Sequence, residues 1–453
     1  MKILYLIEIL GFIAYGKTFP NFVSSTNENK SPINDNSKPK YCQAGKPSLK
    51  NYKPIEGFTL QSVQIVIRHG DRTPIAVVKN NEYVSWQCNA PNEYVSVGEP
   101  NSDLTYLEFI DTEANYDLIN PFIEKTLWKG SCFPGQLTLR GSEQHVQLGK
   151  ALREIYVDKL KFIDEQSLSN LYVRSTNVLR TQLSVRSLLK GLIPNRSKAI
   201  SIHTVPKEIE TFQINPKACP VLNDIEKKLK NEDTWKEYIQ KNLPLKKKLD
   251  QYLGYALEED ENYGYESYVD TYLARTCHNM KLPCIKGNCD YNTEMITQIS
   301  NNGDFEYEFF YSKAENSKKY LTAGIGYALK EIVRNIEKVI ESKPLGKNNS
   351  NIPTFYIYSA HDNSVGPIMG ALGVEPMEWP PYASNLIFEL WKKNDDESSI
   401  ESIDFSDYVI RVIYNGKIIK TNWCDFNACP LLSFYDRFKE YFPSNNECFE
   451  PLN

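Results

Sequence analysis

A chain of 453 residues is too long for a small stapled module and suits either one large domain or a core domain carrying an insertion. With 41% hydrophobic and 24% charged residues, the composition excludes a largely disordered chain. A net charge of −5 and a pI near 5.8 exclude nucleic acid as the main partner, because binding a phosphate backbone needs a concentrated Lys/Arg surface.

At the N-terminus Lys2 precedes a run from Ile3 to Tyr15 that is apolar except for Glu8. A bilayer crossing needs roughly 20 apolar residues and a signal h-region about 7–15, so residues 1–16 are expected to be a signal peptide, with a short signal anchor as the alternative. Membrane attachment is expected only if that segment is retained. Asn, Ser, Lys and Pro dominate Asn21 to Lys50, so residues 17–56 are expected to form a flexible stem and folding to begin at residue 57.

The β-branched run Val63 to Ile67 predicts a buried strand that stops at Arg68. Helical spacing of His145, Leu148, Leu152, Ile155 and Tyr156 predicts a helix over Arg140 to Tyr156. A short strand, Leu171 to Val173, stops at Arg174, and a helix follows over Asn177 to Lys190. From about 195 to 315 the rhythm breaks into long polar helical stretches, which predicts an inserted helical subdomain whose Lys246-Lys247-Lys248 run is read as a solvated face. The core resumes with a helix over Leu321 to Val339 and a strand over Thr354 to Tyr358 that delivers Ser359-Ala360-His361-Asp362. A further helix ends near Gly373, and Leu386 to Trp391 and Tyr408 to Tyr414 read as strands. Alternation of strands and helices predicts an α/β core.

Ten cysteines, Cys42, Cys88, Cys132, Cys219, Cys277, Cys284, Cys289, Cys424, Cys429 and Cys448, allow five disulfides in an oxidising compartment. The cluster Cys277-His278, Cys284 and Cys289 leaves a zinc site as an alternative, although it lacks a CxxC pair. Sequons at Asn29, Asn195 and Asn348 are candidate glycosylation sites and agree with a luminal or extracellular address.

Three predicted strands end in polar groups with one chemical theme: Arg68-His69-Gly70-Asp71-Arg72, Arg174, and His361-Asp362. In open α/β sheets ligands bind outside the carboxyl ends of the strands. Adjacent parallel strands would gather these groups in one crevice, where guanidinium forks match phosphate oxygens. A neutral imidazole among arginines can act as a nucleophile, and a carboxyl can protonate a leaving oxygen. Gly70 is read as permitting a tight turn beside the reacting group. The remaining histidines, His145, His203 and His278, are assigned structural roles.

Arg68-His69-Gly70-Asp71-Arg72-Thr73-Pro74 resembles the RHGxRxP signature of the histidine acid phosphatases. Further similar segments follow in the family's order: Gly135-Gln136-Leu137-Thr138, Arg174-Ser175-Thr176 with Arg180-Thr181, His361-Asp362, Phe388 to Trp391 and Tyr414-Asn415-Gly416. The resemblance spans Gly57 to Phe442. It implies a phosphoglycerate mutase-like fold, a mixed sheet flanked by helices on both faces with a smaller helical lid. It also implies that His69 is transiently phosphorylated, that Arg68, Arg72, Arg174 and His361 hold the phosphate, and that Asp362 protonates the departing alcohol. No metal or organic cofactor is implied. The cysteine pattern from Cys277 to Cys289, Leu386 to Trp391, and Cys429-Pro430-Leu431 are similar to the branch of this family that acts on 2-phosphoxylose in the linkage region of proteoglycans. That similarity implies a phosphorylated glycan substrate and a Golgi location. Alternatives are a broad secreted or lysosomal acid phosphatase, a phytase, a lysophosphatidate phosphatase, or a non-catalytic luminal glycan-binding descendant of the fold.

Overall fold

The computed structural model describes residues 39–449, apart from 79–83, 89–92, 99–104, 111–127, 131, 166–167, 169, 195–199, 258–261, 285–286, 288, 343–351 and 395–403. The expected signal segment and all three candidate glycosylation sites, Asn29, Asn195 and Asn348, lie outside the described residues.

An eight-stranded mixed sheet organises the described residues. Its strands are β1 (Phe58–Arg68), β2 (Leu171–Ser175), β3 (Ile202–His203), β4 (Phe355–Ala360), β5 (Asn385–Lys393), β6 (Tyr408–Tyr414), β7 (Lys417–Ile418) and β8 (Cys429–Pro430). Their order is β7-β6-β5-β1-β4-β2-β3, with β8 also paired to β6. The β1, β4, β2 and β3 half is parallel, whereas β5 and β6 run antiparallel to their neighbours. Register sets Arg68 beside Ala360 and Ser175 beside Ser359, so β1, β4 and β2 end at one level.

Both faces of the sheet are covered. Alternation along β1 turns Val63, Ile65 and Ile67 toward helices α1 (Leu139–Leu152) and α2 (Leu179–Leu192), where Leu148, Leu152, Val185 and Leu188 close the packing. Val66 faces the opposite layer. That layer holds α3 (Val221–Lys230), α4 (Asp233–Leu253), α5 (Glu266–Cys277), α6 (Thr293–Glu308), α7 (Ser317–Glu341), α8 (Asp362–Leu372) and α9 (Leu431–Lys439). Helices α3–α6 occupy the stretch expected to be an inserted lid. Its Trp235, Tyr238 and Tyr268 belong to the same apolar cluster as Val66 and Tyr358 of the sheet, so the lid does not carry a separate core. Within it Lys246 is buried and donates to the Tyr263 carbonyl at 3.0 Å, so only part of the lysine run is the solvated face expected.

The chain joins the core earlier than expected. Tyr41, Cys42 and Tyr52 are buried, and Tyr52 donates to Glu389 at 2.7 Å. Residues 40–56 are therefore part of the fold rather than stem. Tyr41, Cys42, Pro47 and Tyr52 are the buried side chains that anchor them, too few to show in an average dominated by Asn, Ser, Lys and Pro.

All ten cysteines pair: Cys42–Cys277, Cys88–Cys132, Cys219–Cys448, Cys284–Cys289 and Cys424–Cys429. The zinc alternative fails because its thiols are consumed by these bonds. Among the described residues no helix is long and apolar enough to cross a membrane.

Candidate active site

β1 carries Arg68 to its carboxyl end, and the peptide of His69 extends the ladder by donating to the Ala360 carbonyl at 3.0 Å. The backbone then passes directly over the first turn of α1. A Cβ on Gly70 would lie 2.3 Å from the Gly141 carbonyl oxygen, and a Cβ on Gly141 would lie 2.1 Å from that of Asp71. Gly70 is needed for this close approach rather than for the turn expected of it. Asp71 points away from the crevice, where its Oδ1 accepts from Thr138 Oγ1 at 2.6 Å and contacts His278 Nε2 at 2.5 Å.

His69 is 1% exposed. Its Nδ1 lies 2.8 Å from the Gly70 carbonyl oxygen, which can only accept, so Nδ1 carries the proton and Nε2 keeps its lone pair. Burial, then the charges of Arg180, Arg68 and Arg72, hold its pKa well below the ordinary 6.5. The ring is neutral with an unprotonated Nε2, the form that can attack phosphorus.

Arg68 is fully buried, with its guanidinium between the rings of Tyr41 and Tyr382. It pairs with Asp362 Oδ2 at 2.7 Å and donates to the Pro380 carbonyl and the Tyr41 hydroxyl. Arg72 is held by Asp270 of α5 at 2.5 Å, and Asp270 also accepts from the Ile75 amide. The lid thus fixes one of the site's arginines.

His361 directly follows β4 and caps α8, and its ring centre is 5.7 Å from that of His69. Arg180 Nη2 lies 3.4 Å from His361 Nδ1 and can only donate, so His361 Nε2 carries hydrogen toward Thr176 Oγ1 at 3.0 Å. Burial, then Arg180, holds its pKa well below 6.5, although Asp362 pulls the other way. Asp362, the first residue of α8, accepts from Trp379 Nε1 at 3.0 Å and from the Asn363 amide at 2.9 Å. Burial raises its pKa, but Arg68 and the Trp379 hydrogen bond outweigh that and bring it down to about 2.

Arg174 does not reach this crevice. Alternation along β2 turns its side chain to the lid layer, where it stacks on Phe212 and pairs with Glu210 and Glu331, each at 2.7 Å. The third arginine of the site is Arg180, in the first turn of α2, beside His361. Among the described residues Arg180 has no carboxylate partner, and burial together with Arg72 lowers its pKa to about 10. Arg68 and Arg72 are each balanced by a carboxylate, so the unbalanced positive charge rests on Arg180. That excess attracts an anion. The signal was present in Arg180-Thr181, but only the strand's period of two distinguishes it from Arg174.

A cavity of about 210 Å³ opens from Asp362 toward the lid, between Trp235, Tyr263, Glu266, Tyr307 and Trp379. The family-like segment Phe388 to Trp391 of β5 lies elsewhere: Trp391 pairs in register with Leu60 at the start of β1, and Glu389 accepts from the hydroxyls of Tyr52 and Tyr156. Phe388 to Trp391 therefore contributes packing, not substrate contact.

The sequence pattern of the histidine phosphatase superfamily (branch 2) matches residues 59–415. The chain belongs to this family. It is 30% identical to Counting factor 60 of Dictyostelium discoideum over 411 residues, covering 88% of this chain and 89% of that protein. Human lysophosphatidic acid phosphatase type 6 is 26% identical over 385 residues, covering 84% and 83% of the two chains. Human 2-phosphoxylose phosphatase 1 is 26% identical over 387 residues, covering 83% and 75%. The fold matches that of the Klebsiella sp ASR1 phytase with a TM-score of 0.53 at 13% identity, over 88% of this chain and 99% of that one. This histidine acid phosphatase is a phosphomonoesterase with the mixed α/β fold of its family.

Proposed function

We propose that His69 Nε2 attacks the phosphorus of a phosphomonoester held by Arg68, Arg72, Arg180 and His361, and that Asp362 protonates the ester oxygen as the P–O bond breaks. The alcohol leaves and a phosphohistidine remains. Water then attacks phosphorus, giving its proton to the Asp362 carboxylate, and inorganic phosphate and neutral His69 are regenerated. The observation that supports this most is the His69 ring itself: its proton is fixed on Nδ1 by Gly70, and its Nε2 stays bare inside a cationic pocket.

Asp362 at about 2 is ionised in the free enzyme, so its proton must arrive with the substrate. A phosphate dianion offsets the pull of Arg68 and raises the carboxyl beside it, and a substrate monoanion brings the proton directly. kcat/KM should therefore fall above the second phosphate pKa near ~6.

For the substrate we infer a phosphorylated sugar, 2-phosphoxylose in a glycosaminoglycan linkage region, acted on in the Golgi lumen of the secretory pathway. Five disulfides support an oxidising compartment. The lining of the cavity beyond Asp362 favours this over a lysophospholipid: it is aromatic and polar, with carboxylates, Lys230, Asn363 and one aliphatic side chain, Ile214, and suits sugar faces and hydroxyls better than an acyl chain. The test compares kcat/KM for a phosphoxylosyl linkage glycan, lysophosphatidate, phytate and an aryl phosphate. The glycan should exceed the aryl phosphate. A glycan no better than the aryl phosphate favours a broad acid phosphatase, and a preference for lysophosphatidate or phytate overturns the sugar reading.

A further inference from the structure

The cavity beside Asp362 holds three glutamates besides the catalytic carboxylate, and they are not equivalent. Glu226 is neutralised by Lys230 at 2.7 Å. Glu306 is buried and accepts from the Tyr238 hydroxyl at 2.7 Å and the Tyr265 amide at 2.6 Å. Glu266 has no hydrogen-bond or ion-pair partner among the described residues, yet its side chain lines the same cavity as Asp362 and Trp379. It opens α5, whose fourth turn-neighbour Asp270 holds Arg72, so its position is set by the same helix that orders the phosphate site. Glu266 is solvent-exposed at the mouth of the cavity, and its crowded setting, then Asp362 and Asp270, pushes its carboxyl up to about 7, while Arg72 opposes them.

We propose that Glu266 reads the charge of the leaving alcohol: the cavity takes alcohols that are neutral or carry an ammonium group and rejects those with a second anionic group. This rests on the phosphatase reading above and deepens it by naming the substrate class. The physical reason is placement. Once the phosphate is seated on the arginines, the ester oxygen faces Asp362 and the rest of the alcohol must enter the cavity. There it meets aromatic rings from Trp235, Tyr263, Tyr307 and Trp379, which suit a sugar face or a cation. It also meets Glu266, the one carboxylate lining the cavity with no hydrogen-bond or ion-pair partner among the described residues. A second phosphate or carboxylate on the alcohol would stand against Glu266 in a partly enclosed space, where like charges cost more than in water.

The test uses three phosphomonoesters of nearly equal size: 2-aminoethyl phosphate, 2-hydroxyethyl phosphate and phosphoglycolate, which place a cation, a hydroxyl and a carboxylate at the same distance from phosphorus. Measured at about pH 8, where Glu266 is ionised, kcat/KM should fall in that order. The ratio of amine to carboxylate substrate should exceed ~10 in the wild type, shrink several-fold in Glu266→Gln and invert in Glu266→Lys. Equal turnover of amine and carboxylate substrates by the wild type, or a ratio unchanged in both variants, overturns the proposal. Hydrolysis of 4-nitrophenyl phosphate reports the phosphate chemistry separately, and its absence in the wild type would overturn the phosphatase reading and this inference together.

Discussion

Arg174-Ser175-Thr176 and Arg180-Thr181 both resemble the family, and the structure gives the two arginines opposite surroundings. Arg174 is spent on Glu210 and Glu331, while Arg180 faces His361 with its charge unbalanced. Arg180→Ala should therefore lower kcat/KM for an aryl phosphate by ~10²–10³-fold, the scale of losing a donor that stabilises developing charge, with little change in unfolding free energy. Arg174→Ala should do the reverse. Activity per folded molecule should change little, but Glu210, 1% exposed, would be left without its cation at a cost of about 3 kcal/mol in denaturant unfolding. Loss of activity in Arg174→Ala with Arg180→Ala unaffected would restore the assignment made from sequence. Asp362→Asn should cost ~10²–10⁴-fold on alkyl phosphates and far less on aryl phosphates, whose leaving oxygens need less protonation. Equal losses on both would argue against its role as the acid. The positions of His69 and Asp362 just past strand ends were legible from the apolar runs before them, and for His69 a seven-residue motif coincides with the strand end. Arg180 stood in a matching segment with Thr181, but only the alternation of β2, which turns Arg174 away, singles it out.

The same contrast holds for whole elements. The run Val63 to Ile67 and the stretch Thr354 to Tyr358 were readable as strands because β-branched and aromatic residues fill positions buried on both faces. The segment 40–56 was not, since a few residues and a bond formed 235 positions away secure it. Breaking that bond with Cys42→Ala and Cys277→Ala should cost about 2–5 kcal/mol and loosen Tyr41 beneath Arg68. Thermal unfolding and kcat/KM of the double variant measure the two effects. The expected signature is a lower Tm together with weaker turnover, and an unaltered Tm would show that the segment docks without its staple. In α1, His145 is 0% exposed, contacts the Arg68 carbonyl through Nε2, and has its pKa lowered by burial to about 4. The unfolded chain takes up this proton near 6.5 and the folded chain only near 4, so this contribution is present above ~6.5 and lost as pH falls toward 4. Between those values it amounts to about 3 kcal/mol, and His145→Gln should flatten the pH dependence of unfolding in that window.

At the scale of the molecule the insertion and the sheet act as one body. Their apolar residues form a single cluster, Asp270 of the lid orients Arg72, and the lid's aromatic rings wall the cavity that starts at Asp362. The broken rhythm from about 195 to 315 predicts an inserted lid beside the strand ends. It did not show which of its residues face the site, because Trp235, Glu266 and Tyr307 meet only through tertiary packing. The central claim is that phosphate passes through His69. Its most direct test is to mix the enzyme with substrate labelled in the phosphoryl group, quench within the first turnover and identify the labelled residue. The mechanism predicts an acid-labile, alkali-stable phosphohistidine at position 69, absent from His69→Ala, whose turnover should fall by at least ~10⁴-fold. An acid-stable phosphoserine, or an Ala variant that retains turnover, would contradict it.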